Sequence, residues 1–491
     1  MLYTSTRGKC AVSAAQAIVN GIAADGGLYV PETFPTFTKE DFDRFSAMDY
    51  PARAAFVLNK FMDDFSVEEL TEYARKAYSR FDGEPAPLCK LQDGSFMLEL
   101  WHGPTLAFKD MALTLLPYLI TAARKKTGAK DKTLILVATS GDTGKAALEG
   151  FKDVEDTEII VFFPDQGVSK MQRLQMVTQT GSNVHVAAIK GNFDDAQSAV
   201  KAIFTGSDCI KAIKEKGYSL SSANSINWGR LAPQIVYYIS AYADLVESGE
   251  IEYGDKVNFT VPSGNFGNIL AAYYAKKMGL PVGRLICASN VNNVLTDFFN
   301  EGRYDIDREF FKTKSPSMDI LISSNLERLL FEMSGRDEKF VARKMAELKE
   351  NKVYSVDKKK VDACGFAAGF ADEDETRETT FNFFELNDYA LDPHTAVAAA
   401  VYSDYLAGTG DETPCVIVST ASPYKFPQDV YFALTDDYEE DPFKAAVKLF
   451  EYTALELPQS IEKLKTSPVL HPDVVGKEDI FDAVIKFITK E

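Results

Sequence analysis

Short apolar runs that alternate with helical stretches constrain this chain most. Beyond about residue 130 they are Leu134-Ile135-Leu136-Val137-Ala138, Ile159-Ile160-Val161-Phe162-Phe163, Val184-His185-Val186-Ala187-Ala188-Ile189, Val257-Asn258-Phe259-Thr260-Val261 and Val416-Ile417-Val418. Each is bounded by polar residues or glycine, and helical patterning follows most of them. Strands with so little alternation need cover on both faces, which parallel sheets with flanking helices supply. The pattern predicts an α/β fold whose ligands collect at the carboxyl ends of its strands.

With 491 residues the chain exceeds a single core. Residues 1–90 read as mainly helical, and Ser66-Val67-Glu68-Glu69 has the spacing of a capping box. Residues 305–380 are charge-rich and less regular, with Asp372-Glu373-Asp374-Glu375 read as a solvated turn or loop. The last stretch reads as helical. The expected division is an N-terminal helical domain at 1–90, a small α/β domain at 131–249, and a large one from 91–130 and 250–491.

A net charge of −19 argues against nucleic acid or an anionic membrane as partner. No apolar run is long enough to span a bilayer, and the N-terminus lacks a secretory pattern. The six cysteines form no CxxC pair, and the four histidines show no zinc spacing. A cytoplasmic protein with reduced thiols and no metal is expected. Monomer and homodimer both remain open. An acidic chain that binds a phosphate dianion must cluster donors against its own field.

Two loops join strand to helix with the residues such a cluster needs. They are Ala138-Thr139-Ser140-Gly141-Asp142-Thr143-Gly144 and Val261-Pro262-Ser263-Gly264-Asn265-Phe266-Gly267-Asn268. Glycines allow close approach, and the free amides of a following helix attract an anion. Neither loop is a Walker A or GxGxxG motif, so ordinary turns are the competing reading. Trp101–Asp110 (WHGPTLAFKD) then carries a single lysine into an apolar stretch. Lys109 is either exposed at a helix start and paired with Asp110, or buried. A buried lysine is costly unless neutral or reacted, and Schiff-base formation with an aldehyde cofactor meets both conditions.

At these residues the chain resembles the threonine synthases, within the tryptophan-synthase-β-like group of pyridoxal-phosphate enzymes. The resemblance runs in order through Tyr3-Thr4-Ser5-Thr6-Arg7-Gly8, Asp25–Pro31, WHGPTLAFKD, SGDTG at 140–144, GNFGN at 264–268, LDPHTAVA at 391–398 and STASPYKF at 419–426. It is closest to the longer, microbial and fungal-type form. It implies two doubly wound parallel-sheet domains with pyridoxal 5'-phosphate between them, a helical N-terminal region and a helical C-terminus. Lys109 would carry the cofactor. Gly264, Asn265, Phe266, Gly267 and Asn268 would cradle its phosphate, and Thr420 would meet its pyridine nitrogen. Asp142 would lie near its ring hydroxyl. Ser140 and Thr143 would contact substrate. Ser422 departs from the family, since several relatives have TAHP where this chain has TASP.

The implied reaction is a carbon–oxygen lyase step. O-phosphohomoserine and water become L-threonine and phosphate by γ-elimination and β-hydration, ending threonine biosynthesis. The nearest alternative is a phospho-lyase that releases 2-oxobutyrate, ammonia and phosphate. Donors for the substrate phosphate are sought in Lys170 and Arg173, which share a helix face, and in Arg230 and Asn192. Lys170 and Arg173 could equally be a solvated helix end, and Asn192 a helix cap. His102 and His394 read as structural.

Overall fold

The apolar runs pair into two parallel sheets. The computed structural model describes residues 1–139, 141–166 and 168–489, without the side chains of Phe193 and Asp194. In the larger sheet the strand order is Phe366–Phe370, Val282–Ser289, Val257–Pro262, Cys415–Ser419, Phe96–Glu99, Leu88–Lys90. The edge pair Leu88–Lys90 with Phe96–Glu99 runs antiparallel and the other pairs run parallel. In the smaller sheet the order is Val474–Gly476, Val184–Lys190, Thr157–Pro164, Lys132–Ala138, Tyr218–Ser221, all parallel.

Alternation explains why the smaller sheet needs two covered faces. Leu134, Leu136, Ile160 and Phe162 enter one apolar cluster. Their neighbours Ile135, Ile159, Val161 and Phe163 enter another on the opposite face.

Two stretches lie on the other side of the expected domain edges. Strand Val474–Gly476 extends the smaller sheet, and Ile480, Ala483, Val484 and Ile488 of the last helix bury against Leu134, Ile160 and Ala187. The helix Ile480–Thr489 has one strongly apolar face, and this sheet offers the surface that covers it. Conversely, Pro233–Glu247 packs against helices Tyr50–Phe61 and Gly267–Lys277, away from the small domain. It is apolar around most of its circumference and requires neighbours on several sides.

The N-terminal region holds four helices, and the Ser66 capping box forms as expected. Its strands Tyr3–Ser5 and Tyr29–Pro31 pair antiparallel. Trp228 locks this region to the body, with Tyr3 and Phe61 edge-on to its ring at 5.3 and 5.5 Å. Residues 305–380 are more regular than expected, with helices at Leu326–Met333, Glu338–Asn351 and Glu373–Asn387. The acidic run is no loop. Asp372 caps the last of these helices, and Glu375 completes a capping box. Acidic side chains favour a helix N-terminus because they satisfy its free amides and oppose its dipole. Among the described residues no helix is long and apolar enough to cross a membrane.

Candidate active site

Lys109 ends the turn that follows Gly103-Pro104 and precedes the short helix Asp110–Leu113. A second helix, Leu116–Lys126, restarts with Pro117 in its first turn, where a missing N–H costs nothing. Helix Asp142–Phe151 packs directly on Asp110–Leu113. Gly150 makes that possible, because a Cβ there would collide with the Leu113 carbonyl. That contact joins the far ends of the two helices, and at their starts Lys109 and Asp142 also lie close together.

Lys109 is buried, with 9% of its surface exposed. Its Nζ donates to Ser317 Oγ at 3.0 Å and lies 3.7 Å from Asp142 Oδ2. Ser317 Oγ donates in turn to Asp142 Oδ2 at 3.2 Å. The exposed reading, with Lys109 paired to Asp110, is thus replaced. Burial pushes the Lys109 amine below the ordinary lysine value, although Asp142 opposes this. Burial would raise Asp142, but chiefly the nearby lysines Lys425 and Lys109 outweigh it and hold the carboxyl well below the usual carboxylate range.

Asp110 works inward instead. Its two oxygens accept from Thr105 N and Thr105 Oγ1, both at 2.7 Å. Burial pushes its pKa up to about 6. The unfolded value is about 3.9, so between these limits the folded chain holds the extra proton, and stability falls as pH rises through that window. Asp110→Asn is expected to remove this fall, which is at most about 3 kcal/mol. Urea unfolding of both proteins at about pH 4 and about pH 7 measures it.

The loop Gly264–Asn268 is held by its carbonyls. Ser323 Oγ donates to Gly264 O at 2.7 Å, and Asn325 donates to Asn265 O from N and Nδ2 at 3.1 and 3.0 Å. Among the described residues the amides of 264–268 have no protein acceptor. Phe266 takes the left-handed conformation, φ 64°, which turns the chain into helix Gly267–Lys277. Asn268 Oδ1 accepts from the Tyr237 and Tyr238 hydroxyls, while its buried Nδ2 has no partner among the described residues. Donor-rich backbone at a helix N-terminus suits a phosphate. A Cβ on Gly264 would lie 2.6 Å from Ser317 O. Gly264→Ala is expected to weaken pyridoxal-phosphate binding about tenfold or more, by spectroscopic titration of cofactor-free protein.

Thr420 completes the donor set. Its amide donates to Thr395 Oγ1 at 3.2 Å and its carbonyl accepts from Phe108 N at 2.8 Å, beside Lys109. Its hydroxyl has no protein partner among the described residues. Ser422, in place of the relatives' histidine, caps the next turn by accepting from Tyr424 N. A buried lysine whose amine burial pushes down, a loop of amides without acceptors among the described residues, and a hydroxyl without a protein partner there together fit pyridoxal phosphate.

The substrate candidates separate. Arg230 is buried and donates to Ala223 O at 2.8 Å, with no carboxylate partner among the described residues. Burial lowers its pKa to about 10. Lys170 and Arg173 pair with Asp441 and Asp165 at 2.9 and 2.8 Å. Their helix nevertheless reaches the centre, since Gln172 Nε2 donates to Asp142 Oδ1 at 3.4 Å. Asn192 is exposed and caps helix Phe193–Thr205, its oxygen accepting from Asp195 N. Thr143 lies in the first turn of helix Asp142–Phe151, partly exposed. Ser140 lies outside the described residues.

Three residues at the centre are given no site role by the sequence, although Lys425 and His394 lie inside the motifs at 419–426 and 391–398 and His394 reads as structural. Lys425 sits 3.3 Å from Asp142 Oδ1, and Ser317 touches both Lys109 and Asp142. His394 Nε2 accepts from Ser317 N at 3.1 Å, and its other nitrogen is 2.8 Å from Asp392 Oδ1. That network assigns the proton to Nδ1.

Comparison with known proteins agrees with this site. The family description "Threonine synthase N terminus" matches residues 2–78, "Pyridoxal-phosphate dependent enzyme" matches 82–421, and "Threonine synthase, C-terminal" matches 395–478. Threonine synthase of Pseudomonas aeruginosa is 40% identical over 88% of this chain and 90% of its own length. Human threonine synthase-like 1 is also 40% identical, over 85% of this chain, which spans 58% of that longer relative. The crystal structure of PLP-bound threonine synthase from Brucella melitensis superposes with a TM-score of 0.88 at 37% identity, covering 100% of this chain and 99% of that one. The chain belongs to the threonine synthase family of pyridoxal-phosphate-dependent enzymes.

Proposed function

We propose that the chain converts O-phosphohomoserine and water to L-threonine and phosphate, the last step of threonine biosynthesis, in the cytoplasm and as a monomer or homodimer. The observation that carries this reading is the buried Lys109 beside Asp142, facing a set of donors without protein acceptors. We infer three working units: the helical region 1–90, a body around the larger sheet, and a smaller body around the five-stranded sheet that includes Val474–Gly476 and Ile480–Thr489.

When bound, pyridoxal phosphate supplies an electron sink that acidifies the hydrogens on the substrate's α and β carbons. Lys109 Nζ takes those protons and returns them, because burial keeps its amine available as a base. The amides of 264–268, which have no protein acceptor among the described residues, would hold the cofactor's phosphate, and the Thr420 hydroxyl would serve its pyridine nitrogen. Asp142 fixes the centre from the smaller body. Among the substrate-phosphate donors Arg230 has the best support, because its buried charge is unmatched. Lys170 and Arg173 contribute only by exchanging Asp441 and Asp165 for the substrate. Ser140 and Thr143 contact substrate from the loop beside Asp142. Asn192 is left as a helix cap. Lys425, Arg230 and Lys145 supply the local positive charge that an acidic chain needs.

The test is to add O-phosphohomoserine and measure threonine, phosphate and 2-oxobutyrate together. Threonine equal to phosphate supports the synthase. Phosphate accompanied by 2-oxobutyrate, with little threonine, overturns it in favour of the phospho-lyase.

A further inference from the structure

A lysine beside a buried carboxylate has a built-in difficulty. The carboxylate favours the charged ammonium, and an ammonium is neither nucleophile nor base. Lys109 is 3.7 Å from Asp142, so the problem arises at the centre of this site. A second lysine stands on the same carboxylate. The Lys425 side chain is 1% exposed, and its Nζ lies 3.3 Å from Asp142 Oδ1. It also donates to Thr105 O at 2.7 Å. Thr105 is bound in turn by Asp110, the residue after Lys109.

We propose that Lys425 is a positioning residue for Lys109: its ammonium takes up the charge of Asp142, ties that carboxylate to the Lys109 turn, and so leaves the Lys109 amine free to react.

The geometry divides the carboxylate between two lysines. Lys425 meets Oδ1, while Oδ2 is shared by the Ser317 hydroxyl and Lys109, with Lys109 the more distant lysine. The charged groups that face Lys109 are Asp142, Lys425, Arg230 and Asp110. Its remaining neighbours are the Ser317 hydroxyl and the Phe108 ring, 4.9 Å away. With Lys425 present, two cations balance two carboxylates. Without it the carboxylates are in excess, and Lys109 stays protonated to higher pH. Burial pulls the Lys109 amine down first, Asp142 raises it, and Lys425 and Arg230 lower it again. Lys425 therefore acts in the direction that Lys109 chemistry requires.

The proposal rests on Lys109 as the cofactor lysine. Its test uses full-length, cofactor-free protein and pyridoxal phosphate, with the loading rate followed by the visible band as a function of pH. The Lys425→Met profile is expected to move about one pH unit upward, so that loading near neutral pH slows about tenfold. Lys425→Arg keeps the charge and is expected to stay near wild type. Adding Asp142→Asn to Lys425→Met removes the unmatched carboxylate and is expected to return the profile. A Lys425→Met profile that coincides with wild type overturns the proposal. If that variant does not fold, Asp142→Asn alone decides: its profile is expected to move to lower pH, and an unmoved profile overturns the proposal. Loading that persists in Lys109→Ala defeats the cofactor-lysine reading itself, and the proposal with it.

Discussion

Lys109→Ala is expected to lose the visible absorbance band and to lower turnover by about 10^4-fold or more. No neighbouring amine replaces it. Lys425 is committed to Thr105 O and Asp142. Lys145 is committed to Gln179 and Glu149. The fold is expected to survive, because Lys109 Nζ bonds only to Ser317 and Asp142 among the described residues. Removing a buried amine also removes its desolvation cost. Absorbance, phosphate release and circular dichroism of the same preparation check the three parts. A variant that unfolds would show that Lys109 has a structural role this account does not give it.

The second large effect lies far from the chemistry. Arg328 is fully buried, and its Nε and Nη2 both donate to Tyr29 O at 3.0 Å. Nη2 also reaches Ile226 O at 2.6 Å, and Nη1 reaches Asn325 Oδ1 at 2.5 Å. One guanidinium thus joins the N-terminal strand Tyr29–Pro31 to the segment that holds the Gly264–Asn268 carbonyls. Beside it, Glu327 accepts from Thr6 Oγ1 at 2.5 Å and from Arg7 Nε and Nη2 at 2.8 and 2.6 Å. Arg328→Met leaves two buried acceptors and one partly buried acceptor without a donor, at roughly 1 kcal/mol each. A loss of about 3 kcal/mol in urea unfolding is expected. The loss is expected to be larger with pyridoxal phosphate present, because a looser cradle binds it less tightly and returns less stabilisation. Equal losses with and without cofactor would contradict the link between the N-terminal strand and the cradle.

What the sequence made legible was local. All five apolar runs lie inside observed strands, because buried parallel strands need continuous apolar residues. Ser66 caps a helix as its spacing requires. Val282–Ser289 gave no such signal, since Gly283 and Arg284 interrupt it at the sheet's outer end. The acidic run at 372–375 looked like a loop because charge reads as solvation, whereas its spacing reads as a cap. The motifs singled out Lys109, the 264–268 loop and Thr420, each of which is a feature of one short segment. Ser317 was hidden because it reaches the centre from 208 residues away in the chain and has no local pattern, and Lys425, although inside the 419–426 motif, reaches it from 316 residues away. Whether Lys109 was exposed beside Asp110 or buried was likewise a question of tertiary packing, and it is buried 3.7 Å from Asp142.

The central claim is that one of several buried lysines carries the cofactor. It is tested most directly by borohydride reduction of the purified, pyridoxal-phosphate-loaded protein, followed by peptide mass mapping. The account predicts a single phosphopyridoxyl adduct on the peptide that contains Lys109. An adduct on Lys425 or Lys145, or no stoichiometric adduct at all, would contradict it.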